Sequence, residues 1–142
     1  MPSAVVDLTE LVPMTMQRLD RSPLFQRWMA GAFVWAISAQ MIAELKQVTG
    51  RSRLARRIRL AARDALIDAL LNRAVIVTPA TEYPRCRDPK DDIVIATAVA
   101  ARADFIVTAD RDLYDDPALV TRLRDEWSIR VALPAEFLAA LG

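Results

Sequence analysis

The chain has 142 residues, a formal net charge of +1, 54% apolar residues, three glycines, one cysteine and no histidine. That is one domain's worth of chain with ample material for a core, which excludes a disordered segment, a disulfide scaffold and a zinc–thiolate module. The missing histidine also removes the Ser-His-Asp triad, imidazole-ligated metals and the commonest general base, leaving carboxylates, hydroxyls, amines and one thiol for any chemistry.

Residues 4–6 open with an apolar, β-branched run that ends at Asp7, the only charged group near that strand. A helical-period stretch over 14–31, broken near Pro23, leads to a second strand-like run at 33–37. Residues 39–49 read as a helix capped by Ser38, with Met41, Leu45 and Val48 forming a stripe at i, i+4 and i+7. Glu44 falls on the edge of that stripe, and no Lys or Arg lies three or four positions away to pair with it. Residues 53–72 continue as helix, with Arg56, Arg59 and Arg63 on one face, and six arginines lie within 51–63.

A third strand is expected at 74–78. The stretch RCRDPKDD then places three acids, Asp88, Asp91 and Asp92, within five residues. Residues 92–103 are read as helix because the alanines at 96, 98, 100 and 101 outweigh the β-branched residues, and either Asp91 or Asp92 would cap or charge its start. A fourth strand at 105–108 runs straight into TADRDL, where Asp112 can make the turn and leave Asp110 for a ligand. Helix 117–127, strand 129–133 and helix 135–141 complete the chain.

Alternation of helices with short, uniformly apolar strands predicts a three-layer α/β/α sandwich around a central parallel sheet of about five strands, as a single domain over residues 1–142. Ligands of such sheets bind at the carboxyl ends of strands, the location of Asp7 and Asp110. Each acid has a structural reading of its own, as cap, turn-maker or solvated side chain. Convergence of Asp7, Glu44, Asp92 and Asp110 would be different, because carboxylates about 5 Å apart repel by roughly 3 kcal/mol a pair at an effective dielectric near 20. Protonation relieves that repulsion, and so does a divalent cation; oxygen-only ligands fit Mg²⁺ or Mn²⁺.

At these residues the sequence resembles the PIN-domain nucleases, in particular the bacterial subgroup of toxins from toxin-antitoxin pairs. CRDPKDDIVIATAVAARADFIVTADRDL is similar to that subgroup's run of acids, helix, strand and T-x-D-x-D-L; AVVDLTELV resembles its opening strand and aspartate, SAQMIAELKQV its helical glutamate, and RVALPAEFLAAL its closing strand and helix. The resemblance implies a Mg²⁺- or Mn²⁺-dependent endoribonuclease with acids at Asp7, Glu44, Asp92 and Asp110, Asp112 as an accessory ligand, and Thr108 as a supporting hydroxyl. The family's D-T-N at the first strand is D-L-T here, so the supporting asparagine is missing and Thr9 stands as its substitute; Glu10 replaces an apolar residue and Ala109 a frequent glycine.

An acidic site needs cations nearby to hold RNA, and Arg56, Arg59 and Arg63 are the expected contacts, with a solvated face or an antitoxin-contact surface as the competing reading. Trp28, Trp35 and Trp127 are expected in the core or an interface. The implied partners are RNA, a cognate antitoxin protein and a second copy of the chain. A lone Cys86, no apolar leader at the N-terminus and no apolar run longer than 93–101 lead to the expectation of a cytoplasmic protein without a membrane segment. The alternatives are a PIN-like module that binds RNA or protein without cleaving, and, less well matched, a phosphoacceptor domain, which wants paired acids near the first strand and a lysine after the last.

Overall fold

The computed structural model describes residues 1–142, the side chain of Ser52 excepted. Five strands, β1 (Ser3–Val6), β2 (Val34–Ser38), β3 (Val75–Val77), β4 (Phe105–Val107) and β5 (Arg130–Ala132), form one all-parallel sheet in the order β3-β2-β1-β4-β5. Helices flank it: α1 (Leu8–Met14), α2 (Pro23–Met29), α3 (Ala39–Thr49), α4 (Ser52–Ala55), α5 (Leu60–Arg73), α6 (Asp92–Ala101), α7 (Arg111–Tyr114), α8 (Pro117–Trp127) and α9 (Pro134–Leu141). This is the α/β sandwich that the alternating pattern predicts.

The central strand β1 is buried along Ala4, Val5 and Val6 because it has neighbours on both sides: Ala4 pairs with Trp35 of β2 and with Phe105 of β4. From β1 the chain builds outward through β2 to β3, then crosses back to lay β4 on the other flank of β1. Strand order therefore reverses between β1 and β4, and the crevice beyond their carboxyl ends is where this architecture accepts ligands. Trp28, Phe33, Trp35, Phe105 and Phe137 contact one another as an aromatic cluster, so Trp28 and Trp35 are core residues. Trp127 is half-buried, with Arg122 over its ring at 5.7 Å.

Three local readings are corrected. Residues 8–14 form helix α1, ahead of the expected start at 14, because Leu11 and Met14 reach the core and their burial outweighs the hydrogen bond that Pro13 cannot donate. The expected helix over 53–72 is two helices, α4 and α5, with a turn at 56–59 between them. Arg56, Arg59 and Arg63 thus do not share one helical face: only Arg63 is within a helix, and its guanidinium donates to the Thr49 hydroxyl (2.9 Å) and toward the Lys46 carbonyl (3.5 Å), closing the C-terminal turn of α3. A short 3₁₀ turn, Pro89–Asp91, precedes α6 and offsets the acids of RDPKDD in direction. Among the described residues, no helix is long and apolar enough to cross a membrane.

Candidate metal centre

Asp7 leaves β1 at its carboxyl end and is almost fully buried. Its backbone N–H continues the sheet by donating to the Val107 carbonyl (2.9 Å), which fixes the side chain against the end of β4. Asp7 Oδ2 then accepts two hydroxyls, Thr108 Oγ1 at 2.7 Å and Thr9 Oγ1 at 3.0 Å. Thr108 Oγ1 in turn accepts the Asp110 N–H (2.9 Å), and Asp110 Oδ1 accepts the Asp112 N–H (2.9 Å). These contacts fix the orientation of both carboxylates. Thr9, which stands two residues beyond Asp7 in place of the expected asparagine, supplies a donor to the first aspartate.

The third acid of the group is Asp91. Carboxylate oxygens of Asp7, Asp91 and Asp110 all lie within 4.8 Å of one another, and a second set, Asp88, Asp91 and Asp112, meets the same limit and shares Asp91. The sequence resemblance implies Asp92 in this place, whereas the acid found in both sets is Asp91. Asp92 Oδ1 accepts the Cys86 N–H at 2.8 Å and its Oδ2 lies 3.5 Å from Arg85, so its carboxylate braces the loop that enters the 3₁₀ turn. Neighbouring residues at a helix start point about 100° apart, so only one of the two can face the rim. Asp91 closes the 3₁₀ turn and is buried, whereas Asp92, the first residue of α6, turns back to the loop at Cys86.

Glu44 lines the same cavity, of about 300 Å³, together with Asp7, Asp88, Asp91 and Asp110. It shares the cavity-facing side of α3 with Met41 and Val48, at i−3 and i+4, and is half-buried, though outside the closest group of acids. Asp112 enters only the second set. Glu10, unusual in the family pattern, sits one turn into α1 and is half-buried beside Asp7.

Burial and crowding act on these groups together. Desolvation pushes the Asp91 carboxyl up to about 7, assisted by the negative field of and a hydrogen bond with Asp110, then by Asp7 and Asp88. Asp7 is also raised, chiefly by burial and slightly by Asp110, against the lowering effect of Thr108, Thr9 and the Leu8 N–H. Glu10 follows the same direction, from burial and the nearby Asp7. Such a cluster is unfavourable by itself and becomes favourable around a cation.

The donor set fits Mg²⁺ or Mn²⁺: every ligand is a hard oxygen, and an octahedral ion with bonds of about 2.1 Å joins oxygens about 3 to 4.2 Å apart, so small side-chain movements complete the ring. Asp7, Asp91 and Asp110 would hold it, with Asp88 and Asp112 forming an adjoining set.

Compared with known families, residues 3–112 match the PIN domain, whose members are generally metal-dependent nucleases. No curated protein matches the chain.

Proposed function

The chain belongs to the PIN-domain family, and from that membership we propose that it is an endoribonuclease requiring Mg²⁺ or Mn²⁺, acting as the toxin of a toxin-antitoxin pair. The observation that carries the catalytic part is the gathering of Asp7, Asp91 and Asp110 at the switch point of the sheet, with Asp91 raised to about 7. Bound there, the divalent ion supplies Lewis acidity to the phosphoryl oxygens of a scissile phosphodiester. The chain's own residues do the rest. The hydroxyls of Thr9 and Thr108 orient Asp7; the Asp112 N–H orients Asp110; Glu44, on the facing helix, is placed to accept a proton from a water entering the cavity.

Arg56 and Arg59, exposed in the turn between α4 and α5, are proposed as contacts to RNA phosphates outside the cavity. Arg63 belongs to the same proposal with less of its guanidinium available. The toxin role and its antitoxin partner are supported by the likeness of CRDPKDDIVIATAVAARADFIVTADRDL and RVALPAEFLAAL to the bacterial toxin subgroup. A homodimer is included, supported by Leu71, Val75 and Ile76, which are exposed along and beside the open edge strand β3.

The test is cleavage of a labelled single-stranded RNA by the purified chain in Mn²⁺, beside an Asp91→Asn control. Product from the wild type alone supports the reading; equal signals, or none, leave a PIN-like module that binds RNA or a protein without cutting. Induction of the two forms in a bacterial host, with growth arrest by the wild type only, tests the toxin role.

A further inference from the structure

The cavity is lined by five carboxylate residues and a single cation, Lys90. Lys90 occupies the middle of the 3₁₀ turn, between Pro89 and Asp91, and its backbone is held by donation from its N–H to Asp88 Oδ1 (3.0 Å). The turn therefore fixes where the lysine stem departs, directly beside the acid that joins both carboxylate sets.

What its ammonium does in the free protein is informative. The two arginines nearest in sequence are committed: Arg85 lies over the Tyr83 ring and reaches Tyr83 Oη and Asp92, while Arg87 reaches Asp112 and Asp116 and donates to the Arg111 carbonyl. Among the described residues no carboxylate lies within ion-pair distance of Lys90, although Asp88 and Asp91 flank it in sequence, and the side chain is exposed. A counter-ion for the acid cluster would be folded onto it. A cation held at the mouth of an acidic cavity, facing solvent and unpaired, is suited to an anion that arrives from outside.

We propose that Lys90 binds a non-bridging oxygen of an RNA phosphate at the cavity mouth, drawing the strand across an acidic surface that would otherwise repel it. The inference rests on the ribonuclease reading and adds a substrate-binding residue to it. Lysine suits the task as a flexible point charge that can follow a phosphate without the fixed fork of arginine. Its contribution is to substrate capture, so it belongs in KM.

The experiment compares wild type, Lys90→Met and Lys90→Arg in Mn²⁺ on one labelled single-stranded oligoribonucleotide across a series of NaCl concentrations. Lys90→Met keeps the stem and removes the charge. The expected result is a KM raised about tenfold with kcat within about twofold, a plot of log(kcat/KM) against log[NaCl] shallower by about 0.7 as one phosphate contact is lost, and recovery in Lys90→Arg. An unchanged slope overturns the proposal. So does tighter Mn²⁺ binding by Lys90→Met in calorimetry with RNA affinity unaltered, which would make Lys90 a counter-charge for the acids. If the wild type cleaves nothing, the ribonuclease reading falls separately, and the same salt series read as equilibrium RNA binding still decides Lys90.

Discussion

Asp91 and Asp92 stand side by side in the sequence and do different work in the fold. Replacing Asp91 with Asn removes the carboxylate common to both acid sets and is expected to lower cleavage by roughly a hundredfold or more. Asp92→Asn keeps the oxygen that accepts the Cys86 N–H; cleavage is expected to stay within a few-fold of wild type while the loop tie to Arg85 weakens. Parallel rate measurements on the two variants check this, and a reversed order would remove Asp91 from the site. The raised Asp91 carboxyl makes a second, pH-dependent prediction. Between the ordinary carboxyl value and about 7 the folded state binds a proton that the unfolded chain has released, so this group's contribution to stability is greatest in acid and declines as pH rises toward 7. In EDTA, the urea midpoint of wild type should fall relative to Asp91→Asn between pH 5 and pH 8. Mn²⁺ should reverse the trend, raising the midpoint more at pH 8 than at pH 5, because below about 7 its affinity drops toward tenfold per pH unit as it competes with that proton. Thr108→Val tests the orienting hydroxyl: it deprives Asp7 of its 2.7 Å donor and the Asp110 N–H of its acceptor, with an expected loss of about 1 to 3 kcal/mol in unfolding free energy and about 10- to 100-fold in metal affinity or activity.

At the level of elements, the strands were legible because each is a short apolar run bounded by polar residues or proline, and α3 because a capping Ser38 precedes an amphipathic stripe. Asp7 and Asp110 were legible as strand-end acids by position alone. The residues that escaped did so for local physical reasons. Helix α1 was hidden by Pro13, which normally marks a helix boundary; the break between α4 and α5 was hidden by the arginines of 51–63, good helix formers that carry no breaker signal. The choice between Asp91 and Asp92 depended on the phase set by a three-residue 3₁₀ turn. Arg63 was read as a surface cation, yet the end of α3 uses it. Arg63→Ala is expected to cost about 1 kcal/mol in thermal or urea unfolding, through loss of the contacts to Thr49 and the Lys46 carbonyl. In RNA-binding titrations it should flatten the salt dependence by less than Arg56→Ala and Arg59→Ala, each of which should flatten it by about 0.7.

For the whole molecule, the decisive contact is between distant parts of the chain. Ser3 N–H donates to Asp104 Oδ2 at 2.8 Å, β1 pairs with β4 over Ala4 to Val6, and Asp7 meets Thr108, 101 residues away in sequence. Parallel pairings of this separation form late, after the entropy of closing long loops has been met by other contacts. The hydroxyl of Thr108 thus couples completion of the sheet to completion of the site. While such a chain is being synthesised, its leading stretch already carries Asp7, Glu44, Asp88 and Asp91, but Asp110 and the Thr108 hydroxyl that orients Asp7 follow only with the fourth strand. The three-acid group of the nascent polypeptide is therefore incomplete until the fourth strand has emerged and docked beside the first.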